Sequence, residues 1–475
     1  MSPTDQPLHW WSARDLAAAI RAREVSAAEV MAAFLDRIDA VDGQVNAITT
    51  RMPREEALAL AADADAAVAR GDALGPIHGL PIAVKDLMDV AGLRTTQGVT
   101  AFADAPPAEH DSVLAEKLRA AGALIIGKTN TPAYGLGTLT FNPVFGPTRN
   151  PWDLTKNAGG SSGGAGAAVA AGLLPFADGS DSGGSIRYPA AFGNLVGLRP
   201  TPGRVPTGRR GDGWTPHGVL GPIARDAGDA GLLLSAISGP DPRAPLSLAD
   251  DPSGLADVSA RSVDGLRIAW SRTGGGLPVE DEVLRTLDAA RATLESHGAI
   301  VTDLDDGFWD DADECWQIVE MLGFLDSCGD DVAVHRDTMP EDLVRNVNEG
   351  RALTAERIVH GLRLRTELFR RTERVLADHD VIALPTTPVV SVPAEVTWPR
   401  EVAGTSFDRY FLWQRLACRV TVTAHPAASV PGGFSADGLP VGLQLIGRHR
   451  GDRELLDIAA GLEAVTGWGA RRAVL

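Results

Sequence analysis

Between Asn157 and Arg199 the chain reads NAGGSSGGAGAAVAAGLLPFADGSDSGGSIRYPAAFGNLVGLR, and no other stretch restricts the fold as tightly. Glycine runs this dense cost folding entropy. They persist where backbone must approach another group closely or take up unusual angles. A flexible Gly/Ser linker would lack the apolar run AAVAAGLL that separates the two serine clusters. That run reads as a short buried helix. The segment is therefore expected to be loop, helix, loop, folded back so that Ser161 and Ser162 meet Ser185.

Two familiar motifs match by letter and fail by context. Gly160-Ser161-Ser162-Gly163-Gly164 fits the G-x-S-x-G nucleophile elbow, which needs a strand before the serine and an acid, then a histidine, downstream. The preceding NPWDLTKNAGG reads as turn, and none of the ten histidines has a distinctive setting. GALIIGKT, Gly122 to Thr129, fits the phosphate-loop pattern G-x-x-x-x-G-K-[ST]. A phosphate loop runs strand, loop, helix. Here the helical SVLAEKLRAAG comes first, Gly122 ends it, and Ala-Leu-Ile-Ile follows as a buried strand.

Along the rest of the chain the periodicities alternate. Ser12–Asp15 and Ser26–Glu29 have the capping-box form, and EEALALAADADAAVARG predicts a third helix ending at Gly71. Residues 75–86, GPIHGLPIAVKD, switch to strand. GLRIAW, the helical VLRTLDAARATLESHG and AIVTDLD predict a βαβ unit. DVIALPTTP and PVGLQLIG read as buried strands, and RELLDIAAGLEAVTG as a closing helix. This is the pattern of an α/β protein with one large, partly parallel sheet covered by helices. The polar stretch 241–260 is expected to cross between two parts of that sheet. The whole chain, 1–475, is then one domain, with an N-terminal helical segment at 12–70 and a core at 75–240.

Composition narrows the function. The net charge of −18 and the lack of a basic stripe argue against nucleic acid as a partner. Three cysteines without metal-ligand spacing favour a reducing compartment, and no signal peptide or bilayer-length apolar run is read. The expectation is a cytoplasmic protein, monomeric or homodimeric, with no membrane, metal or cofactor. Of the 44 basic residues only Lys85, Lys117, Lys128 and Lys156 are lysines. Lysine can lose its proton near neutral pH when buried and arginine cannot, so a retained lysine is a candidate base.

GGSSGG, the small-residue helix, GSDSGGSIRYPAAFGNLVGLRPT and the upstream GLPIAVKD together resemble the amidase signature family, over nearly the whole chain. The resemblance implies a large twisted mixed β-sheet flanked by α-helices and hydrolysis of amides, sometimes esters or carbamates, by a Ser–Ser–Lys triad. It implies Ser185 as nucleophile, Ser161 as the bridging serine on a cis peptide bond and Lys85 as base, with Lys128 outside the triad. The backbone amides of Ser182, Gly183, Gly184 and Ser185 would form the oxyanion hole. Ser162, Ser180, Asp181 and Arg187 would support them, the last two by ion pairing. The sequence departs mildly from the family pattern at Ala158, Ser182 and Ala133, the last in a stretch expected to line the acyl pocket.

The chemistry is coherent in its own right. A serine hydroxyl needs a neighbour to take its proton, and a lysine serves only if its pKa falls far below about 10.4, which burial can achieve. Pro81-Ile82-Ala83-Val84 is an apolar approach suited to burying Lys85. Residues 132–137 (PAYGLG), Trp214 and 411–414 (FLWQ) are expected to line an apolar or aromatic pocket, and the Gly/Arg-rich segment 203–218 to wall it. The expected substrate is a small neutral aryl or hydrophobic amide, with carbamates and esters also cleaved. The alternatives are the glutamine-hydrolysing component of a glutamyl-tRNA amidotransferase and a catalytically silent binding protein on the same fold. Those amidotransferase chains usually continue after GLRPT into a loop of the form FASSLDQ; here GRRGDGWTPHG stands instead.

Overall fold

The computed structural model describes residues 6–208, 211–215 and 217–475. Arg209 and Arg210, expected in the wall of the site, lie outside the described residues. Eight strands form one mixed sheet in the order Ile300–Asp303, Arg267–Trp270, Val381–Pro385, Pro440–Ile446, Ala427–Phe434, Val196–Arg199, Val219–Ala224 and Phe176–Asp181. The first three are parallel and the others antiparallel. The expected βαβ unit is present: Arg267 pairs with Ile300, and the helix Asp281–Ser296 joins the two strands. Every residue of Val381–Pro385 and Pro440–Ile446 is buried. That is why they read as continuous apolar runs rather than alternating ones. The 241–260 segment does connect opposite halves of the sheet, leading from Val219–Ala224 and its following helix to Arg267–Trp270.

The N-terminal helices start where their caps predict. The Ser12 hydroxyl accepts from Asp15 N–H, and Ser26 with Glu29 forms a complete capping box. Gly71 ends the third helix in the left-handed region at φ 78°.

Two elements differ from expectation. The GLPIAVKD strand, Pro81–Lys85, is not hydrogen-bonded into the large sheet. It pairs in parallel with Leu124–Thr129, which pairs antiparallel with Ile48–Arg51, in a separate three-stranded sheet. The reason lies at Asp178, on the edge strand of the large sheet. Its buried carboxylate, rather than a main-chain carbonyl, accepts the Lys85 N–H at 3.2 Å, so no backbone ladder runs across the seam. The stretch NPWDLTKN also holds a strand, Asp153–Asn157, in a two-stranded hairpin with Arg149–Asn150. Its leading Asp bonds the Thr155 N–H and hydroxyl, local polar chemistry that reads as a turn in sequence.

Three helices, Ala312–His335, Glu341–Arg351 and Ala355–Asp378, fill a region where the sequence reading placed no element. The first packs an aromatic face (Trp316) against Phe411, beside Tyr188, Phe192 and Trp413 in a second apolar cluster. Among the described residues no helix is long and apolar enough to cross a membrane.

Candidate active site

Lys85 ends a strand in which Ile82, Ala83 and Val84 are fully buried, and it is itself 0% exposed. Its Nζ reaches three hydroxyls: Ser161 Oγ at 2.7 Å, Ser162 Oγ at 2.9 Å and Ser180 Oγ at 2.9 Å. The Gly160–Ser161 peptide bond is cis. Ser162 precedes the helix Gly163–Ala170, the small-residue run of the sequence. A Cβ at Gly164 would fall 2.2 Å from the Asn130 nitrogen, so only glycine lets this helix seat so deeply. The two serine clusters do meet. Ser162 N–H donates to the Ser185 carbonyl at 3.1 Å, and Ser180 N–H donates to Ser162 Oγ at 3.2 Å.

The turn carrying Ser185 is braced from below. Asp181 Oδ1 accepts from Arg187 Nη2 at 2.7 Å and from Gly184 N–H at 3.0 Å; its Oδ2 accepts from Arg187 Nε at 3.0 Å and Ile186 N–H at 3.1 Å. Arg187 also donates to Thr421 Oγ1, the Ala417 carbonyl and Gln444 Oε1. Burial alone would raise the Asp181 pKa. Arg187, with Arg199 and the Gly184 amide, overcomes it and holds the carboxyl well below the usual range. The ion pair expected of Asp181 and Arg187 is present. The expectation for Gly184 needs correction: its amide points to Asp181, not to an oxyanion, because the carboxylate needs that donor. The amides of Ser182, Gly183 and Ser185 have no partner among the described residues, and all three residues line the cavity. On the far side of the turn, Trp316 Nε1 donates to the Ser182 carbonyl at 3.1 Å.

Lys128 is the other fully buried lysine. Its Nζ lies 3.2 Å from Asp86 and 2.9 Å from Thr95 Oγ1, and burial lowers its pKa. It neighbours Val84 in the strand register, and its polar partners among the described residues do not include the three serines. Lys117 donates to the Ser238 carbonyl, and Lys156 stands on the Asp153–Asn157 hairpin.

A cavity of about 350 Å³ opens over Ser161, Ser180, Ser182, Gly183 and Ser185. From the stretches expected to line it, Tyr134, Gly135, Gly137 and Gln414 do so. Trp413 and Phe411 do not, because they are consumed in packing, Trp413 edge-on to Tyr188 at 5.1 Å and Phe411 against Trp316 at 5.2 Å. Trp214 is 71% exposed and also stays outside the lining. His217 belongs to the 203–218 segment expected to wall the site, whereas its neighbour Glu320 was missed. Their partnership joins positions over a hundred residues apart, and no local pattern marks Glu320.

The geometry is a buried amine among three serine hydroxyls beside a cavity. The amidase family profile matches residues 29–456. An acylamidase of Rhodococcus erythropolis is 37% identical, with 99% of this chain and 98% of that protein covered. The A-type chain of the glutamyl-tRNA(Gln) amidotransferase of Moorella thermoacetica is also 37% identical, with 98% of each covered. The crystal structure of a bacterial aryl acylamidase of the amidase signature enzymes superposes with a TM-score of 0.89 at 30% identity, covering 98% of each chain. The protein is thus a hydrolase of carbon–nitrogen bonds, an amidase. It belongs to the amidase signature family.

Proposed function

We propose that the protein hydrolyses small neutral aryl or hydrophobic amides, with Ser185 as nucleophile, Ser161 as proton relay and Lys85 as general base and acid. The observation that carries this reading is the buried Lys85 amine within 2.9 Å of three hydroxyls, of which Ser161 and Ser180 line the cavity that Ser185 also lines. A neutral amine has two N–H donors and one lone pair. Three hydroxyls satisfy all of them, each of which can donate or accept. In the acylation step Ser185 Oγ attacks the amide carbon while its proton passes through Ser161 Oγ to Lys85 Nζ. The amides of Ser182, Gly183 and Ser185 receive the developing oxyanion. Lys85 returns the proton through Ser161 to the departing amine, and water then cleaves the acyl-enzyme by the same relay. Esters and carbamates pass through the same tetrahedral oxyanion and are expected as weaker substrates. The buried thiols Cys315, Cys328 and Cys418 suit a reducing compartment such as the cytoplasm.

The likeness to the aryl acylamidase supports the aryl preference; the equal identity to the amidotransferase chain favours a second reading, glutamine hydrolysis for a partner. Measuring kcat/KM of the isolated chain for a neutral anilide and for glutamine separates the two, and a preference for glutamine refutes the first. Lys85→Ala, Lys85→Arg, Ser161→Ala and Ser185→Ala should each lose most of kcat, while Lys128→Ala retains measurable activity. Since the residues act as a unit, the Ser161/Ser185 double variant should be little worse than Ser185→Ala. Strong turnover by Ser185→Ala would remove it as the nucleophile.

A further inference from the structure

The helix Ala312–His335 carries one group to the nucleophile turn and another to the cavity. Trp316 fixes the Ser182 carbonyl, and Glu320, four residues and about 6 Å further along the helix axis, lines the cavity wall. Glu320 is 9% exposed; its Oε2 is engaged by His217, while no donor to its Oε1 is found among the described residues. His217 is 7% exposed; its Nε2 stands 2.8 Å from Glu320 Oε2, yet neither ring nitrogen meets the directional requirement of a hydrogen bond. Two buried polar side chains left this way in a core would each cost stability. At a cavity the polar atoms this contact leaves over can receive a ligand.

Resting on the reading of the site as an aryl or hydrophobic amidase, we infer that Glu320, backed by His217, is a hydrogen-bond-accepting subsite. It selects amides whose aryl or hydrophobic group bears a neutral donor, a hydroxyl or amino substituent.

The surroundings decide between a neutral donor and a cation. Arg199 is buried, donates to the His217 carbonyl at 2.8 Å, and is drawn electrostatically to Glu320. Its first countercharge is Asp181, but with Arg365, partly buried and acting on both Arg199 and His217, it places the Glu320 carboxylate among guanidinium groups rather than in want of a cation. The His217 pKa is lowered by burial, so at neutral pH the ring adds no second charge. Tyr410 and Cys418, also near Glu320, are kept as neutral phenol and thiol by burial. A ring lying between the Ser182–Ser185 turn and Glu320 would meet apolar lining such as Ile318 and Val319 along its length and the carboxylate at its end. Burying a carboxylate against an unsubstituted ring desolvates it without return, so the site discriminates by penalty as well as by gain.

The test is a ratio. kcat/KM is measured for an anilide and for its ring-hydroxylated and ring-aminated analogues with the wild-type chain, Glu320→Gln and Glu320→Leu. The wild type should favour the donor-bearing substrates by about tenfold or more. Glu320→Leu should bring the ratio to about one or below, and Glu320→Gln, which keeps the shape and a weaker acceptor, should fall between. Calorimetric titration of the same amides into Ser185→Ala reads the selectivity without turnover. If the wild type cleaves no anilide yet Ser185→Ala binds the hydroxylated one preferentially, the proposed reaction fails and the subsite stands. A wild-type ratio near one, or a ratio unchanged in both Glu320 variants, overturns the subsite.

Discussion

Asp181→Asn isolates the charge beneath the nucleophile turn without changing its volume. Each carboxylate oxygen accepts one arginine side-chain N–H and at least one backbone N–H, and Arg187 and Arg199 are both fully buried around it. An asparagine preserves one acceptor and turns an NH2 toward two donors. Two buried guanidinium groups then lose their countercharge. Removing one partner of such a pair costs about 3–5 kcal/mol. Urea unfolding at pH 7 should show a loss on that scale, and kcat should fall about 10²-fold, the effect of misplacing one oxyanion donor. The pH dependence adds a second check. A carboxyl whose folded pKa is depressed contributes stability above its unfolded value, near 3.8, and loses it as pH falls toward the folded one. The gap between wild type and variant should therefore be full at neutral pH and narrow below about pH 4. A loss under 1 kcal/mol with unchanged kcat, or a gap that does not vary with acid, would refute the bracing argument.

Gly135→Ala would set a Cβ 3.2 Å from Ser161 Oγ and 3.0 Å from Leu87 Cδ1 at a backbone φ of +71°. Stability should fall by about 1–2 kcal/mol, and kcat should drop disproportionately if Ser161 relays the proton; unfolding and steady-state kinetics together read the two effects. Burial raises the Asp178 carboxyl to about 6, against the Lys85 N–H, Lys85 and Lys128, which lower it. A raised carboxyl favours the folded state when protonated, so wild-type stability should decline as pH rises from about 4 through about 6. Asp178→Asn should flatten that decline in urea midpoints collected across the range.

Glycine chemistry and strand periodicity made much of this fold legible in the sequence. GGSSGG, AAVAAGLL and SDSGGSIR specify a loop, helix and turn whose closeness follows from residues too small to keep backbones apart, and Ser162 does bond Ser185 across them. PIAVK announces a buried strand ending in lysine. Long-range relations were not legible. Asp178 looks like any aspartate in a strand, and only the third dimension shows that it replaces a main-chain acceptor for Lys85 and splits the sheet. FLWQ looked like pocket lining, but an aromatic run cannot say whether its rings face a ligand or one another. Glu320 lies in a helix whose sequence, ADECWQIVEMLGFLDSCGDDVAVH, mixes acidic and apolar residues too evenly to show which face meets the cavity.

The seam at Asp178 makes catalytic competence a matter of docking. Lys85 rides on one hydrogen-bond ladder and Ser180 and the Ser185 turn on another, and the register between them is set by side chains. A slip of about 1 Å along that joint would break the 2.7 Å contact to Ser161 while leaving every strand pair intact. On gentle heating or in dilute denaturant the enzyme should fall silent before its circular dichroism changes. A covalent tie across the joint would then extend its working temperature further than any repacking of the core.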